Sequence, residues 1–524
     1  MDNSKKNTPD HRALYKRNSI GSQEQLRERR VVLDESLRKK HREQLISAKR
    51  FRHLSRREER ESSGDEMPPI NEHDEDIDPY YRLTEEQIKA LSDDLKSSEQ
   101  SSRMDAAQYL SKFVVEPCQA LIDYITHGDC IESLTKMMSG VDLDERLQAV
   151  QTISNIAAGP HDIWSKSLTT VPYMVSFLDS ENLNLREAAA GALGNMAAED
   201  LCDMTTEDDE ARTMIRNNGA IPPLVRLLDS NDSRLVQTAC FALANLARGN
   251  ERQLNEFIVA SIGNPLFRHL QDKTPDTVTE VCWVMSYLTA GSQPFRKQVM
   301  QQGIAKILVR MVSELRNLCQ QGPVVLPLLR TLGNLCGGPD EYIEILLDQD
   351  GFLFTLLLLT HSEHRVVKKE ALWVLSNITS SQRPDIVKKV VDANAIAYLT
   401  DILVQHGALD IRKGAATCLL NIAYHGEKYM LLLPHQQLLP AFVDLVQSQD
   451  PEEMRLGLSY IEMLLTRVPR NGSQFFQGNE VLQVTPRCLE VLGAVNPAPD
   501  PELYTFANNL VDKFYEESPG LESF

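Results

Sequence analysis

The chain has 524 residues, of which 42% are hydrophobic, 25% are charged and only 6% are aromatic. This length requires several domains or one elongated core, and the composition disfavours large β-sheets. The longest apolar run, GFLFTLLLL at 351–359, is far shorter than the ~20 residues that span a bilayer, and the polar N-terminus indicates no secretory signal. The nine cysteines are scattered and form no CxxC pair, which indicates a reducing compartment, cytosol or nucleus, without a disulfide framework or zinc site.

Charge is distributed unevenly along the chain. Residues 1–64 carry 18 basic and 10 acidic side chains, a balance of +8, whereas the remainder has a balance of −27. We expect residues 1–60 to form a basic arm with a helix from Gln23 to about Arg50. Its leucine stripe is too thin to bury much surface alone. Residues 61–82 are predicted to be an acidic flexible linker, and residues 516–524 an acidic tail. The acidic body should repel nucleic acid and attract basic ligands.

The remainder of the chain repeats a short helical pattern. Its copies are VQTISNIAAG (150–159), AGALGNMAAE (190–199), CFALANLARG (240–249), CWVMSYLTAG (282–291), LRTLGNLCGG (329–338), LWVLSNITSS (372–381) and ATCLLNIAYH (416–425). The central polar residues follow one another at intervals of 40, 50, 42, 47, 43 and 44 residues. A period of about 40–47 residues built from short helices is typical of HEAT or armadillo arrays. The sequence therefore predicts an all-α solenoid of about ten repeats over residues 83–515.

The segment KKEALWVLSNIT (368–379) carries a polar face beside its core face. Ala371, Leu375 and Ile378 have core spacing. Glu370, Trp373 and Asn377 lie together on another face. Stacked repeats would align such faces into a ladder on the concave side of the solenoid. An Asn amide can both donate to and accept from the main chain of an extended peptide. A Trp face can hold the stem of a Lys or Arg, whose charged head Glu370 could take, so the pattern indicates an extended basic peptide as ligand.

A purely structural interpretation stands beside this one. An Asn near a helix end often satisfies backbone groups of its own repeat, and a Trp on a helix is usually part of the core. Six Asn in phase, with Tyr287 as the seventh position, favour the ligand-binding interpretation.

These motifs resemble the importin-alpha (karyopherin-alpha) family of nuclear import adaptors over nearly the whole chain. RERR (27–30), LRKKHRE (37–43) and SAKRFR (47–52) are similar to the importin-beta-binding segment, and CWVMSYLTAG and LLRTLGNL to the central repeats. SEHRVVKKEALWVLSNI and MRLGLSYIEMLLTRVP look most like its divergent branch, which includes armadillo proteins named transmembrane and coiled-coil domain proteins. The resemblance implies a right-handed superhelical solenoid of armadillo repeats, no enzymatic activity, no cofactor or metal, and shuttling between cytoplasm and nucleus.

The resemblance also implies functional residues. The importin-beta-binding residues of the arm would be Arg27, Arg29, Arg30, Arg38, Lys39, Lys40, Arg42, Lys49, Arg50 and Arg52. The N-terminal site for nuclear localisation signals would comprise Asn155, Gly159, Asn195, Glu199, Asn245, Trp283 and Tyr287. The C-terminal site would comprise Arg330, Asn334, Glu370, Trp373, Asn377 and Asn421. In the family, KRFR (49–52) would mimic a cargo signal until importin-beta takes the arm, and an export receptor engages near the C-terminal region.

Several positions depart from the family pattern. Gln151, Gly191 and Phe241 stand where the N-terminal site would have Trp. Thr417 and Gly414 replace a Trp and an acidic residue of the C-terminal site. Because Gln and Gly cannot form slots for lysine stems, the Trp373 region is the preferred site for a classical signal.

Three other functions are alternatives to this one. An enzyme is disfavoured because the sequence has no GxxxxGK[ST], GxSxG or HExxH motif. Nucleic-acid binding through the arm is weakened by the acidic body and by the Glu residues within the arm. An armadillo scaffold that binds importin-beta or another partner without recognising classical cargo is favoured by the lost Trp slots.

Overall fold

The computed structural model describes residues 83–114, 117–198, 210–248, 251–271, 274–317, 324–405, 407–448, 450–467, 487–488, 490–495 and 500–512. Throughout these ranges the regular secondary structure is helical and no strand occurs, which confirms the predicted all-α class. None of the helices in the described ranges has the length and apolar character needed to cross a membrane. The predicted arm, linker and acidic tail lie outside the described residues.

The chain divides into two compact units between Gln298 and Val299. The helices of the N-terminal unit are α1 (Glu85–Leu95), α2 (Gln100–Phe113), α3 (Gln119–His127), α4 (Cys130–Ser139), α5 (Leu143–Ala157), α6 (His161–Ser167), α7 (Val171–Phe177), α8 (Leu183–Ala198), α9 (Glu210–Asn217), α10 (Ile221–Leu227), α11 (Ser233–Leu246), α12 (Glu251–Val259), α13 (Gly263–His269) and α14 (Pro275–Gly291). Helix α15 (Gln293–Gln301) contains the division.

The C-terminal unit continues the same alternation of short and long helices. Its helices are α16 (Ile304–Asn317), α17 (Val325–Cys336), α18 (Asp340–Leu347), α19 (Phe352–Leu359), α20 (Arg365–Thr379), α21 (Pro384–Asp392), α22 (Ala395–Gln405), α23 (Leu409–Tyr424), α24 (Glu427–Met430), α25 (His435–Val446), α26 (Pro451–Arg467) and α27 (Pro501–Val511).

The long helix that closes each repeat packs against its counterparts in neighbouring repeats. In the N-terminal unit α5 packs between α2 and α8, and α11 between α8 and α14. In the C-terminal unit α20 packs between α17 and α23. These helices carry the repeated sequence pattern, so the predicted period is confirmed as a repeat of the structure. Stacking of this kind buries an apolar face that no single repeat could bury alone.

Two local signals recur with the repeat and fix where its helices begin. Before α11, the Ser230 hydroxyl accepts from the Asp232 N–H, and the Asp232 carboxylate accepts from the N–H groups of Arg234 and Leu235. Such capping satisfies donors that the first helical turn leaves unpaired. The turn between the first two helices of a repeat uses left-handed backbone at Gly219 and Gly351, with φ of 77° at both. Glycine adopts this conformation without steric cost.

A buried histidine connects α25 to α26. His435 is 6% exposed, and its Nε2 lies 2.9 Å from the Met430 carbonyl oxygen. Because a carbonyl only accepts, Nε2 carries the proton, and Nδ1 accepts from the Tyr460 hydroxyl at 2.7 Å. Burial lowers the pKa of His435, which favours the neutral form of the ring.

Candidate functional site

The repeated asparagines form a hydrogen-bonded ladder within each unit. In four of them the side-chain amide donates to a backbone carbonyl of the preceding repeat. That carbonyl belongs to the residue immediately before the ladder residue of that repeat. These Nδ2–O distances are 2.9 Å for Asn195 to Ser154, 3.2 Å for Asn245 to Gly194, 2.9 Å for Asn377 to Gly333 and 3.2 Å for Asn421 to Ser376. Asn155 donates in the same way to Ser111 at 3.2 Å. The side chain of each Asn therefore ties its long helix to the preceding one.

One N–H of each of these five amides is held by the neighbouring repeat, so the structural interpretation is right for that N–H. Because an Asn amide has a second N–H and an oxygen, the expected contacts of the ladder with a ligand stay a prediction. The observed geometry differs from the structural interpretation in one respect. The accepting carbonyl belongs chiefly to the preceding repeat and not to the repeat that contains the Asn. Asn245 does both, since it also lies 3.2 Å from the Phe241 carbonyl.

The amide oxygens point to a different use. No described residue donates a hydrogen bond to the Oδ1 atom of Asn155, Asn195, Asn245 or Asn421. None of these four oxygens belongs to the buried polar atoms that lack a hydrogen-bond partner. They therefore reach solvent, although Asn245 and Asn421 are only 7% and 9% exposed. The ladder thus offers solvent a row of hydrogen-bond acceptors at the spacing of the repeats.

In the N-terminal unit, the aromatic side chains beside the ladder are buried. Phe241 is 5% exposed and packs over Gly194, where an added Cβ would lie 2.5 Å from its ring. Trp283 is 2% and Tyr287 is 9% exposed, with ring centroids 6.1 Å apart. A ligand stem could reach the Trp283 face only after side chains around it move. Gln151 is exposed and Gly191 is half-buried, so neither position supplies an aromatic wall.

Two further predicted residues of this site differ in what the structure says of them. Gly159 is buried, and a Cβ there would lie 2.5 Å from Ile163 Cδ1. A larger residue would therefore not fit at this position without movement of Ile163. Glu199 lies outside the described residues.

In the C-terminal unit, Trp373 keeps part of its ring at the surface. It is half-buried, and its ring lies against Gly333, whose carbonyl accepts from Asn377. Asn334 is half-buried too, whereas Asn377 is 6% exposed. The predicted core residues of the same helix, Ala371, Leu375 and Ile378, are fully buried. One glycine therefore supports both the aromatic ring and the amide of the next repeat.

The Glu370 carboxylate is already paired with a cation of this chain. Its Oε1 lies 3.1 Å from both Nε and Nη2 of Arg330, and both side chains are 5% exposed. Arg330 already contacts this oxygen, so the head of a bound Lys or Arg would have to share the Glu370 carboxylate with it. The expected role of Glu370 toward a ligand stays a prediction. A buried pair of this kind holds its charges only while both partners stay in place.

Beyond Trp373 the predicted site has neither an aromatic nor an acidic side chain at positions 417 and 414. Thr417 is half-buried and its hydroxyl donates to the Lys413 carbonyl at 2.8 Å. The position of Gly414 faces Leu372, which an added Cβ would meet at 3.1 Å. The Lys413 ammonium pairs with Glu452. A second basic residue of a ligand would therefore find neither an aromatic wall nor a free carboxylate at these positions.

Sequence patterns alone missed the residues that support the ladder. The backbone carbonyls of Ser111, Ser154 and Ser376 accept from the Asn of the next repeat. Gly194 and Gly333 also leave room for an aromatic ring. The signal was present, because a Ser or Gly precedes the ladder position in most repeats. The spacing of 40 residues between Arg330 and Glu370 also equals one repeat.

The residues expected to bind importin-beta lie in the arm, outside the described residues. In the part of the chain that the structure describes, no three His, Cys, Asp or Glu side chains are arranged to hold a metal ion. Seven described cysteines are unbridged, and burial raises the pKa of the Cys282 thiol to about 12.

Comparisons with known proteins agree with this architecture. An armadillo/beta-catenin-like repeat model matches residues 208–248, the repeat that contains α9, α10 and α11. The chain is 27% identical to importin subunit alpha-9 of Arabidopsis thaliana over 97% of both chains. It is 26% identical to importin subunit alpha-2 of Oryza sativa subsp. japonica over 92% of both. Among solved structures, an engineered protein superposes with a TM-score of 0.68 at 24% identity, covering 82% of this chain and 99% of that one.

Proposed function

We propose, from the premise that the chain is an importin-alpha-like armadillo-repeat protein, that it serves as a nuclear import adaptor. In this role it binds a basic signal segment of a cargo protein along the Asn ladder. Its N-terminal arm links the complex to importin-beta, and the protein moves between cytoplasm and nucleus.

The single observation that carries the proposal is the row of solvent-reaching Oδ1 atoms. Helices pack with axes about 8–10 Å apart, and an extended chain rises about 3.3 Å per residue, so one ladder position meets every second or third residue of a peptide. Each amide oxygen can then accept a main-chain N–H of the ligand. Because the other side of the amide is held by the preceding repeat, the acceptor is oriented before the ligand arrives, which lowers the entropy lost on binding.

The C-terminal unit supports the better site for a basic residue. Among the described slot positions of the ladder, Trp373 is the one aromatic residue that is half-buried, whereas Phe241 and Trp283 are buried. A Lys or Arg stem lying on this ring would gain about 0.5–2 kcal/mol. Since Arg330 holds Glu370, the charged head would remain at the surface.

A second function is favoured by a specific observation. With Gln151, Gly191 and Thr417 at slot positions and Glu370 occupied, the ladder retains main-chain acceptors but few groups that select basic side chains. Such a surface suits an armadillo scaffold that binds importin-beta, or another partner, without classical cargo.

The two functions separate in one binding experiment on the full chain. A fluorescent peptide carrying a basic import signal should bind the wild type. It should bind the Trp373→Ala variant about 2- to 30-fold more weakly, and it should also bind the Asn377→Ala variant more weakly than the wild type. Phe354→Ala is the matched control, because Phe354 is 54% exposed in the same unit and lies on α19, away from the ladder. Equal binding by Trp373→Ala and the control would favour the scaffold.

The link to importin-beta needs its own test. Purified importin-beta should bind the full chain, and the triple change Arg38→Ala, Lys39→Ala and Lys40→Ala should weaken binding by removing charges from the arm. The substitutions Arg226→Ala and Arg268→Ala remove exposed charges from the body and serve as the control. Binding that survives the arm substitutions would contradict this part of the proposal. Engagement of an export receptor near the C-terminal region is proposed on the resemblance alone.

A further inference from the structure

Helix α2 exposes a face that the seven later ladder helices bury. Asn155 donates to the Ser111 carbonyl, and the next residue, Lys112, therefore stands at the first position of the ladder. Tyr109, three residues before this position, is 54% exposed, and Phe113, one residue after it, is half-buried. Their rings are stacked, with centroids 6.2 Å apart and planes inclined by 22°. Tyr109, Lys112 and Phe113 are called the end face below.

The positions of Tyr109 and Phe113 are buried in the seven later copies of the repeat. Three residues before the ladder position stand Thr152, Ala192, Ala242, Val284, Thr331, Val374 and Cys418, each at most 1% exposed. One residue after it stand Ile156, Met196, Leu246, Leu288, Leu335, Ile378 and Ile422, each fully buried. The preceding ladder helix covers this face, because Thr152 Oγ1 donates to the Ala107 carbonyl at 3.0 Å and Cys418 Sγ to the Leu372 carbonyl at 3.6 Å.

In the part of the chain that the structure describes, no ladder helix precedes α2. Helix α2 packs against α1 and α5, and α5 lies on the side of Ala107 and Ser111. Because successive residues of a helix are about 100° apart, Tyr109 points to the opposite side, toward the end of the stack. The outer face of a terminal repeat is normally polar. A stacked pair of aromatic rings at this place therefore indicates a face that another segment covers.

The chain enters the body beside the end face. The carbonyl of Leu83, the first described residue, lies 3.7 Å from Cys118 Sγ. Cys118 is four residues after Val114, the residue that caps α2, so the two are at most about 14 Å apart along the chain. The residues just before Leu83 thus join the body at the end of α2 that carries Phe113. A segment tethered at this place has a high effective concentration at the end face.

The chemistry of residues 70–82, INEHDEDIDPYYR, is complementary to the end face. The segment contains the aromatic residues Tyr80 and Tyr81, and aromatic rings pair favourably with one another. Its acidic side chains are Glu72, Asp74, Glu75, Asp76 and Asp78. The Lys112 ammonium lies 5.6 Å from the centroid of the Tyr109 ring and gives the face a positive charge. This charge attracts the acidic segment and repels the basic arm, whose balance is positive.

We propose that residues 70–82 dock on the end face and close the N-terminal end of the solenoid. The ring of Tyr80 or Tyr81 covers the stacked rings of Tyr109 and Phe113, and a carboxylate of the segment lies at Lys112. The arm then leaves the body beside the first position of the ladder. This docking requires no ligand on the ladder, so its test is independent of the adaptor function.

Hydrogen exchange of the full chain, read by mass spectrometry, tests the docking. In the wild type, the amides of residues 70–82 should exchange at least about ten-fold more slowly than in Tyr109→Glu. Lys112→Glu should also accelerate their exchange, because it replaces the attracting charge by a repelling one. Tyr504→Glu is the matched control, since Tyr504 is 38% exposed on α27; it should leave the exchange unchanged. Unaltered protection of α5 in all variants shows that the body stays folded.

Three results would overturn the proposal. The first is equally fast exchange of residues 70–82 in the wild type and in Tyr109→Glu. The second is protection of residues 23–50, in place of 70–82, that Tyr109→Glu removes, since the occupant would then be the basic arm. The third is concentration-dependent self-association, measured by light scattering, that Tyr109→Glu abolishes, since the end face would then bind a second copy of the chain.

Discussion

Replacing Gly333 by alanine should disturb Trp373 and Asn377 together. An added Cβ would lie 2.7 Å from Trp373 Cη2 and closer still to Cζ3 and Cε3. Non-bonded carbons pack at about 3.5–4.0 Å, so the ring must withdraw by about 1 Å or more. The carbonyl of Gly333 also accepts from Asn377 Nδ2 at 2.9 Å, so any shift of the two helices strains the ladder as well.

The expected cost follows from two opposing effects. Overpacking a core contact costs about 1–3 kcal/mol, and replacing Gly by Ala within a helix returns about 0.5–1 kcal/mol. The free energy of unfolding should therefore fall by roughly 0–2.5 kcal/mol. Because the ring loses its position, affinity for a basic peptide should fall about 2- to 30-fold, as for Trp373→Ala.

Urea unfolding and peptide binding measure the two effects separately. Tryptophan emission adds a direct readout, because Trp164 and Trp283 are only 3% and 2% exposed and Trp373 is half-buried; a change in emission reports chiefly on Trp373. Gly337→Ala is the matched control, since a Cβ there meets its neighbours at ordinary distances of 3.5 Å or more. If the two variants bind the peptide equally and emit alike, the support of Trp373 by Gly333 is refuted.

Three further predictions concern stability. Arg330→Ala should lower the free energy of unfolding by about 3–5 kcal/mol, because it leaves the Glu370 carboxylate buried and unpaired. This would be contradicted if the double variant Arg330→Ala with Glu370→Gln were no more stable in urea than Arg330→Ala alone. Burial lowers the pKa of His435 from 6.5, so the unfolded chain binds the proton more readily, and stability should fall as pH drops below about 6.5. His435→Gln should flatten that part of the urea-midpoint profile. Arg226→Ala breaks a pair with Asp179 whose side chains are 59% and 62% exposed, and calorimetry should show a loss below about 1 kcal/mol.

The sequence predicted the helices and their period because those follow from local spacing. The pattern of Ala371, Leu375 and Ile378 marks a buried face, and each is fully buried. The segment NNGAIPPLVRLL (217–228) also marks a break between helices, because its Gly219 adopts a left-handed backbone.

The sequence could not decide what each side chain of the ladder contacts. Trp283 and Trp373 hold the same place in their repeats, yet one is 2% exposed and the other is half-buried. That difference depends on the neighbouring repeats, as does the pairing of Glu370 with Arg330. A family resemblance indicates which position corresponds to a known residue. The exposure of that side chain and its contacts depend on the packing around it.

The affinity of a basic signal peptide for the full chain, measured with and without saturating importin-beta, tests the adaptor function most directly. If importin-beta takes the arm and the ladder binds the peptide, affinity should rise when importin-beta is added, and Trp373→Ala should lower it in both conditions. Absence of peptide binding with and without importin-beta would contradict the adaptor function. The chain would then be an armadillo scaffold whose ladder serves another ligand.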